Sequence, residues 1–125
     1  EFYYMVKKKT LVIGASTKPE RYSNKAIKML RSREHPVIAI GKKAGTVVDV
    51  EIVDELPMVF DIDTVTMYLS PSNQKPYYEY LKEIKPKRII FNPGTENFEL
   101  MQELKDAHIS ITSYCTLVLL STNIY

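Results

Sequence analysis

Thr10-Leu11-Val12-Ile13-Gly14-Ala15-Ser16 is the stretch that decides the fold. A short apolar, largely β-branched run that opens directly into Gly-Ala-Ser reads as a strand buried on both faces, hence a central parallel strand turning into a helix. Gly14 lets the backbone turn sharply and come close to a ligand, while the small Ala15 and Ser16 leave room for phosphate oxygens. Amides at the start of the next helix add to such a cradle. Only the first glycine of the G-x-G-x-x-G dinucleotide pattern is present, so the turn taken alone is equally an empty strand-to-helix corner.

Outward from this stretch, Ser23 or Asn24 is expected to cap a helix carrying Ala26, Ile27, Met29 and Leu30 inward and ending near Glu34, ahead of Pro36. Val37 to Ile40 reads as a second strand stopped by Gly41, and Val47 to Val53 as a short third one. Val65 to Leu69 is the fourth strand, and Tyr77, Tyr80, Leu81 and Ile84 form the stripe of the helix that Pro86 ends. Lys87 to Phe91 is the fifth strand. Thr95 or Glu96 starts a helix with Phe98, Leu100, Met101 and Leu104 inward, Ile109 to Ile111 is the sixth strand, and Cys115 to Ser121 form a closing helical turn or two. Strands alternating with helices define an α/β, Rossmann-like, doubly wound fold, with a mainly parallel sheet of five to six strands flanked by helices. Ligands in that architecture lie beyond the carboxyl ends of the strands, beside strand one.

The 125 residues suit one domain, taken as residues 9–125 behind an N-terminal extension of residues 1–8. Met5 is expected as the natural start, with residues 1–4 an upstream or cloning remnant. Lys and Arg total 17 against 15 Asp and Glu, and a net charge of +2 is too small to argue for nucleic acid or an anionic membrane. Any anion site must therefore be local. The apolar runs are too short for a membrane span, and Glu1-Phe2-Tyr3-Tyr4 has neither the charge nor the apolar core of a secretory signal. A single cysteine, Cys115, forbids an internal disulfide and fits a cytoplasmic protein.

The exit of the second strand carries the sharper ligand signal. A fold that uses NAD places Asp or Glu there to hold the ribose hydroxyls, and this chain has Gly41-Lys42-Lys43. Two lysines attract a phosphate, so a phosphorylated ribose is favoured over plain NAD; coenzyme A, with its 3′-phosphate, and NADP both qualify, and the other reading is a solvated charged loop. Between the two exits, Lys18 and Arg21 supply positive charge, Tyr22 and Ser23 supply hydroxyls, and Arg21 can fork onto a pyrophosphate. Tyr68-Leu69-Ser70-Pro71 ends strand four, and Asn92-Pro93-Gly94-Thr95-Glu96-Asn97 ends strand five; both ends face the same crevice. Cys115 lies near the start of the last helix on that side, where a helix dipole lowers a thiol pKa, although an inert structural cysteine is the commoner case. His35, His108, Asp61 and Asp63 belong to the opposite end of the sheet. With no metal-ligand cluster, Ser/His/Asp set or paired carboxylates, neither a catalytic residue nor a metal is assigned.

Taken together, Val12 to Ser16, Pro19 to Ser23, Asn92-Pro93-Gly94 with Glu96-Asn97, and Tyr114 to Val118 resemble the small stand-alone CoA-binding proteins, which are similar to the CoA-binding domain of the succinyl-CoA synthetase alpha subunit. The resemblance runs from Lys9 to Leu120. It implies a Rossmann-like fold that binds CoA, with Gly14, Ala15 and Ser16 on the phosphates, Arg21 and Ser23 beside them, and Asn92, Pro93 and Gly94 along the ligand. The chain departs from the pattern at Gly41-Lys42-Lys43, where family members often carry Asn-Pro. The synthetase's phosphorylated histidine belongs to a second domain that the chain lacks, so acyl-CoA ligation by the chain alone is not expected.

The resulting expectation is a non-catalytic module for a small-molecule partner, CoA or an acyl-CoA. The enzymatic alternative is an NADP-linked reductase or an acyl-CoA-handling enzyme, and a regulatory one is a mixed disulfide between Cys115 and the CoA thiol. Oligomeric association leaves no mark in the sequence.

Overall fold

A strand buried on both faces must have neighbours on both sides, and β1 (Thr10–Ile13) has them: its four residues are all buried. It pairs in parallel with β2 (Val37–Ile40) and with β5 (Thr64–Met67), Ile13 standing opposite both Ile40 and Met67. The structure, a computed structural model, describes residues 6–125. The expected start at Met5 lies outside the described residues.

The sheet has seven strands in the order β3-β4-β2-β1-β5-β6-β7, with β3 (Gly45–Val47), β4 (Val50–Val53), β6 (Arg88–Phe91) and β7 (Ser110–Ser113). Every pairing is parallel except β3 with β4. Among the described residues four helices flank it: α1 (Tyr22–Ser32), α2 (Tyr78–Ile84), α3 (Phe98–Asp106) and α4 (Thr116–Ser121). Alternate residues of a strand face opposite sides, which divides the core in two. Leu11, Ile13, Met67 and Phe91 pack with Leu81 of α2 and with Leu100 and Leu104 of α3. Val12, Ala39 and Ile52 pack with Ile27 and Leu30 of α1 and Leu120 of α4. Each fully buried Leu or Ile contributes about 1.5–3 kcal/mol relative to exposure.

Four local expectations are corrected. The sheet has seven strands rather than five or six, because Val47 to Val53 is a hairpin in which Val47 pairs with Val50 across Val48-Asp49. Val48 takes φ +58°, unusual for a β-branched residue, so the turn carries no Gly or Asn to announce it. Asp49 holds the turn instead, accepting from Nε and Nη2 of Arg31 on α1 at 2.9 and 2.8 Å. Second, α1 begins two residues before Ser23 would place it: Arg21 is the N-cap, Ser23 is buried in the first turn, and the Asn24 side chain donates to Ser16 O at 3.0 Å. Third, α3 is capped by Asn97, whose Oδ1 accepts from Leu100 N–H at 3.1 Å, rather than started by Thr95 or Glu96. Fourth, Phe98, in the first position of that helix, is 84% exposed, and the buried stripe is Leu100, Met101 and Leu104.

At the amino ends of the strands His35 closes α1. Its backbone N–H reaches Leu30 O while Glu34 takes φ +64°, a Schellman closure without glycine. The buried ring accepts the Lys8 backbone N–H on Nδ1 at 2.9 Å and lies 5.1 Å from the Tyr125 ring, so the neutral tautomer carries its proton on Nε2. Burial first, then the charges of Lys7, Lys8, Arg33 and Arg88, holds the His35 pKa below 6.5. The unfolded chain therefore binds the His35 proton more readily. Stability is fully present above about pH 6.5 and declines as pH falls from there through the folded-state pKa. His35→Asn keeps an acceptor for the Lys8 amide and removes the titration. Urea unfolding at a series of pH values between about 5 and 7 should show a clear slope in the wild type and a flatter one in the variant; equal slopes would refute this role for His35.

Candidate functional site

Where β1, β2 and β5 end side by side, the chain turns away in different directions and leaves a crevice, as expected at the switch point of a doubly wound sheet. The crevice is a cleft of about 830 Å³. Its floor is the turn after β1. The amides of Gly14 and Ala15 both donate to Ile40 O, each at 2.9 Å, so they tie β1 to β2. Gly14 takes φ +93°, and a Cβ there would stand 3.0 Å from the carbonyl carbon of Tyr68, where the chain leaves β5. Gly41 approaches more closely still: a Cβ would meet Ala15 O at 2.3 Å and Ile52 Cγ2 at 2.9 Å. Both glycines are required by the joining of strand ends.

The loop that follows folds on itself. Ser16 Oγ accepts from the Lys18 amide at 3.1 Å, Lys18 O accepts from the Arg21 amide at 3.1 Å, and Asn24 anchors Ser16 O from inside α1. It delivers the amino end of α1 to the cleft without a side-chain cap and with no acidic residue in the first turn. Among the described residues, the Ser16, Thr17, Tyr22 and Ser23 amides have no protein acceptor. The positive end of the helix dipole thus faces the cleft unneutralised. Lys18, Arg21, Lys42 and Lys43 line the same space, and among the described residues no Asp or Glu lines it. Thirteen of the residues expected from the sequence border the cleft: Gly14, Ala15, Ser16, Lys18, Arg21, Tyr22, Ser23, Gly41, Lys42, Lys43, Tyr68, Leu69 and Pro93.

Asn92, Gly94, Glu96 and Cys115 stand outside the lining. Asn92 is buried, and its side chain is spent on the fold: Nδ2 donates to Thr66 Oγ1 at 2.7 Å and Met67 O at 2.9 Å, and Oδ1 accepts the Thr116 amide at 2.8 Å. Gly94 donates its amide to Glu96 Oε1 at 2.9 Å. Cys115 is the half-buried N-cap of α4.

The opposite wall includes Ser70 and Thr95, which belong to the two strand exits expected to face the crevice; Thr17 beside Ser16, and Ser72, Asn73, Pro76 and Tyr77 on that wall, are residues that sequence reading missed. Their only signal was the turn-forming cluster Ser70-Pro71-Ser72-Asn73 directly after β5. Burial pushes the Tyr68 phenol up to about 12 and raises Tyr77 as well, so both stay protonated near neutrality. Among the described residues no group of three His, Cys, Asp or Glu could hold a metal ion, and no helix is long and apolar enough to cross a membrane.

Fold and cleft define a Rossmann-like α/β domain with an anion-attracting crevice at the carboxyl edge of its sheet. The profile of the CoA binding domain family matches residues 8–121, and the chain belongs to that family. No curated protein matches the chain. Among solved structures, that of an uncharacterized protein is 43% identical, with a TM-score of 0.93, covering 97% of this chain and all (100%) of that one. A hypothetical protein from Pyrococcus horikoshii OT3 is 24% identical with a TM-score of 0.83, covering 94% of this chain and 84% of its own. The protein cell-free ID.343 from Thermus thermophilus is 18% identical with a TM-score of 0.81, covering 95% and 91%. The latter two show a shared fold.

The glycine geometry separates two outcomes. Gly41→Ala drives a methyl into the Ala15 carbonyl, an overpacking expected to cost about 1–3 kcal/mol and to displace the turn. Gly94, at φ +90°, has no atom within 4 Å of the point where a methyl would stand, so Gly94→Ala meets only the left-handed strain, about 1–2 kcal/mol. Amide chemical shifts of Ala15 to Lys18 should move in Gly41→Ala and stay in place in Gly94→Ala.

Proposed function

We propose that the cleft binds coenzyme A or an acyl-CoA and that the chain serves as a binding or regulatory module without catalysis of its own. One observation carries this reading: among the described residues, four cations and no carboxylate line a cleft that also receives the uncapped amino end of α1. CoA presents a pyrophosphate and a 3′-phosphate, the ligand chemistry that such a set attracts. In this reading the phosphates lie over Gly14, Ala15 and Ser16 and take their hydrogen bonds from the Ser16 and Thr17 amides and the first turn of α1. Arg21 and Lys18 flank the pyrophosphate, and Lys42 and Lys43, at the exit of β2, meet the phosphorylated ribose. Pro93 borders the rest of the ligand, with Asn92 setting the strand end behind it. Membership of the CoA binding domain family supports the choice of CoA over other phosphorylated nucleotides. The non-catalytic reading is supported by a lining without His, Cys, Asp or Glu among the described residues, and by burial that raises the Tyr68 phenol to about 12, which disfavours it as a base near neutral pH.

Calorimetric titration with CoA, acetyl-CoA, NADP and NAD tests the proposal. CoA should bind at micromolar concentrations and at least about tenfold more tightly than NAD. The double variant Lys42→Gln, Lys43→Gln should weaken CoA by about tenfold and flatten the salt dependence of binding. No heat with CoA at about 100 μM wild-type protein would overturn the reading.

A further inference from the structure

The cleft has a basic side, built on the exits of β1 and β2, and a neutral side built from two loops: residues 69–77 after β5 and residues 92–97 after β6. The neutral loops have little to hold them together. Residues 71–73 and 75–77 are single 3-10 turns whose backbone bonds are local, such as Asn73 N–H to Ser70 O and Tyr77 N–H to Gln74 O. The second loop is likewise closed locally, by the Thr95 amide and hydroxyl on Asn92 O. Among the described residues no backbone hydrogen bond joins the two loops.

A side chain joins them. Gln74, between the two 3-10 turns, is 0% exposed. Its Nε2 donates to Leu69 O at 2.9 Å and to Thr95 O at 2.7 Å, one carbonyl from each loop. Its Oε1 accepts from Asn97 Nδ2 at 3.1 Å, and the same Asn97 amide donates to the Tyr78 hydroxyl at 2.8 Å while its Oδ1 caps α3. Both donors of Gln74 are therefore committed, one to its own loop and one across the gap, and no other residue type at that length offers two donors and an acceptor in one plane without charge. Leu69, Tyr77, Pro93 and Thr95, which border the cleft, ride on the two loops so joined.

We propose that Gln74 is a positioning residue that sets the width of the neutral side of the cleft, and so governs the fit of the uncharged arm of the ligand without touching it. This rests on the CoA-binding reading and deepens it: the phosphates go to the basic side, and the amide-containing arm that ends in the thiol goes between the two loops. The basic side abuts Leu69 at Gly14 but has ties of its own, Asn24 on Ser16 O and the packing of Gly41 under Ala15, neither of which involves Gln74. Disturbing Gln74 should therefore separate the two halves of one ligand.

The test compares CoA with 3′-phospho-ADP, which carries the phosphates and lacks the arm. Gln74→Met should weaken CoA by about tenfold and leave 3′-phospho-ADP within about twofold of wild type. Gln74→Glu, which keeps the size and the acceptor for Asn97 but not the donors, should give the same split and serves if the Met variant does not fold. In the wild type, the Gln74 side-chain amide resonances should shift on adding CoA and stay in place with 3′-phospho-ADP. Equal loss of both ligands, unchanged CoA affinity in a folded variant, or still Gln74 resonances under saturating CoA would each overturn the proposal. A wild type that binds no CoA would instead overturn the reading on which it rests.

Discussion

The carbonyl of Ile40 accepts two amides, those of Gly14 and Ala15, and the site depends on that one acceptor. It fixes where β1 stops, bends the chain over the end of β2, and brings Ala15 O so close to Gly41 that no side chain fits between. From this contact follow the direction of residues 16–21 and the delivery of α1 to the crevice. It also reassigns labour within the turn. The first two amides belong to the sheet, and the donors that face open space begin at Ser16. The glycine is there first for the meeting of three strand ends, and the anion-attracting geometry is what that meeting leaves exposed.

The sheet was legible where burial on both faces leaves an unbroken apolar run, as in Leu11-Val12-Ile13 and Ile89-Ile90-Phe91. It was less legible at the edge, where β3 buries one residue of three and β4 two of four, and the hairpin turns on Val48, a residue whose type argues against a turn. Helix ends were legible although no glycine marks them: α1 closes at Glu34, α2 ahead of Pro86 and α4 at Ser121, as expected. Left-handed Glu34, Lys85, His108 and Asn123 close the four described helices in glycine's place. The start of α1 was hidden because Asn24, which looks like a cap, uses its side chain to hold Ser16 instead. Tertiary contacts outweighed local preference at each of these points.

The same division runs through the site. Its basic side could be read because Lys and Arg clustered at strand exits have few structural uses. Its neutral side was legible only at the strand exits, in Tyr68, Leu69, Ser70, Pro93 and Thr95, since polar residues further along a loop look alike whether they face a cleft or solvent. Asn92 and Gln74 show why residue type alone misleads there. Both are polar residues beside the cleft, and both spend their hydrogen bonds joining elements of the protein. Only the direction of the side chain, which depends on the packing of β5, β6 and α4, separates a residue that faces a ligand from one that places others.

A net charge of +2 conceals how unevenly the cations are used. At the amino ends of the strands Lys7 donates to Arg33 O, Lys8 donates to Tyr125 O, and Arg88 lies 4.5 Å over the Tyr125 ring. On the flanks Arg31 pairs with Asp49, and Lys82 with Glu79 and Glu103. Among the described residues, Lys18, Arg21, Lys42 and Lys43 enter no salt bridge, and these four are the cations gathered at the cleft. Like charges crowded at one place repel one another, and surface cations without partners add little to stability. Their concentration around the exposed amides of a helix start is therefore unexplained by the fold alone, and is consistent with the anionic ligand proposed above.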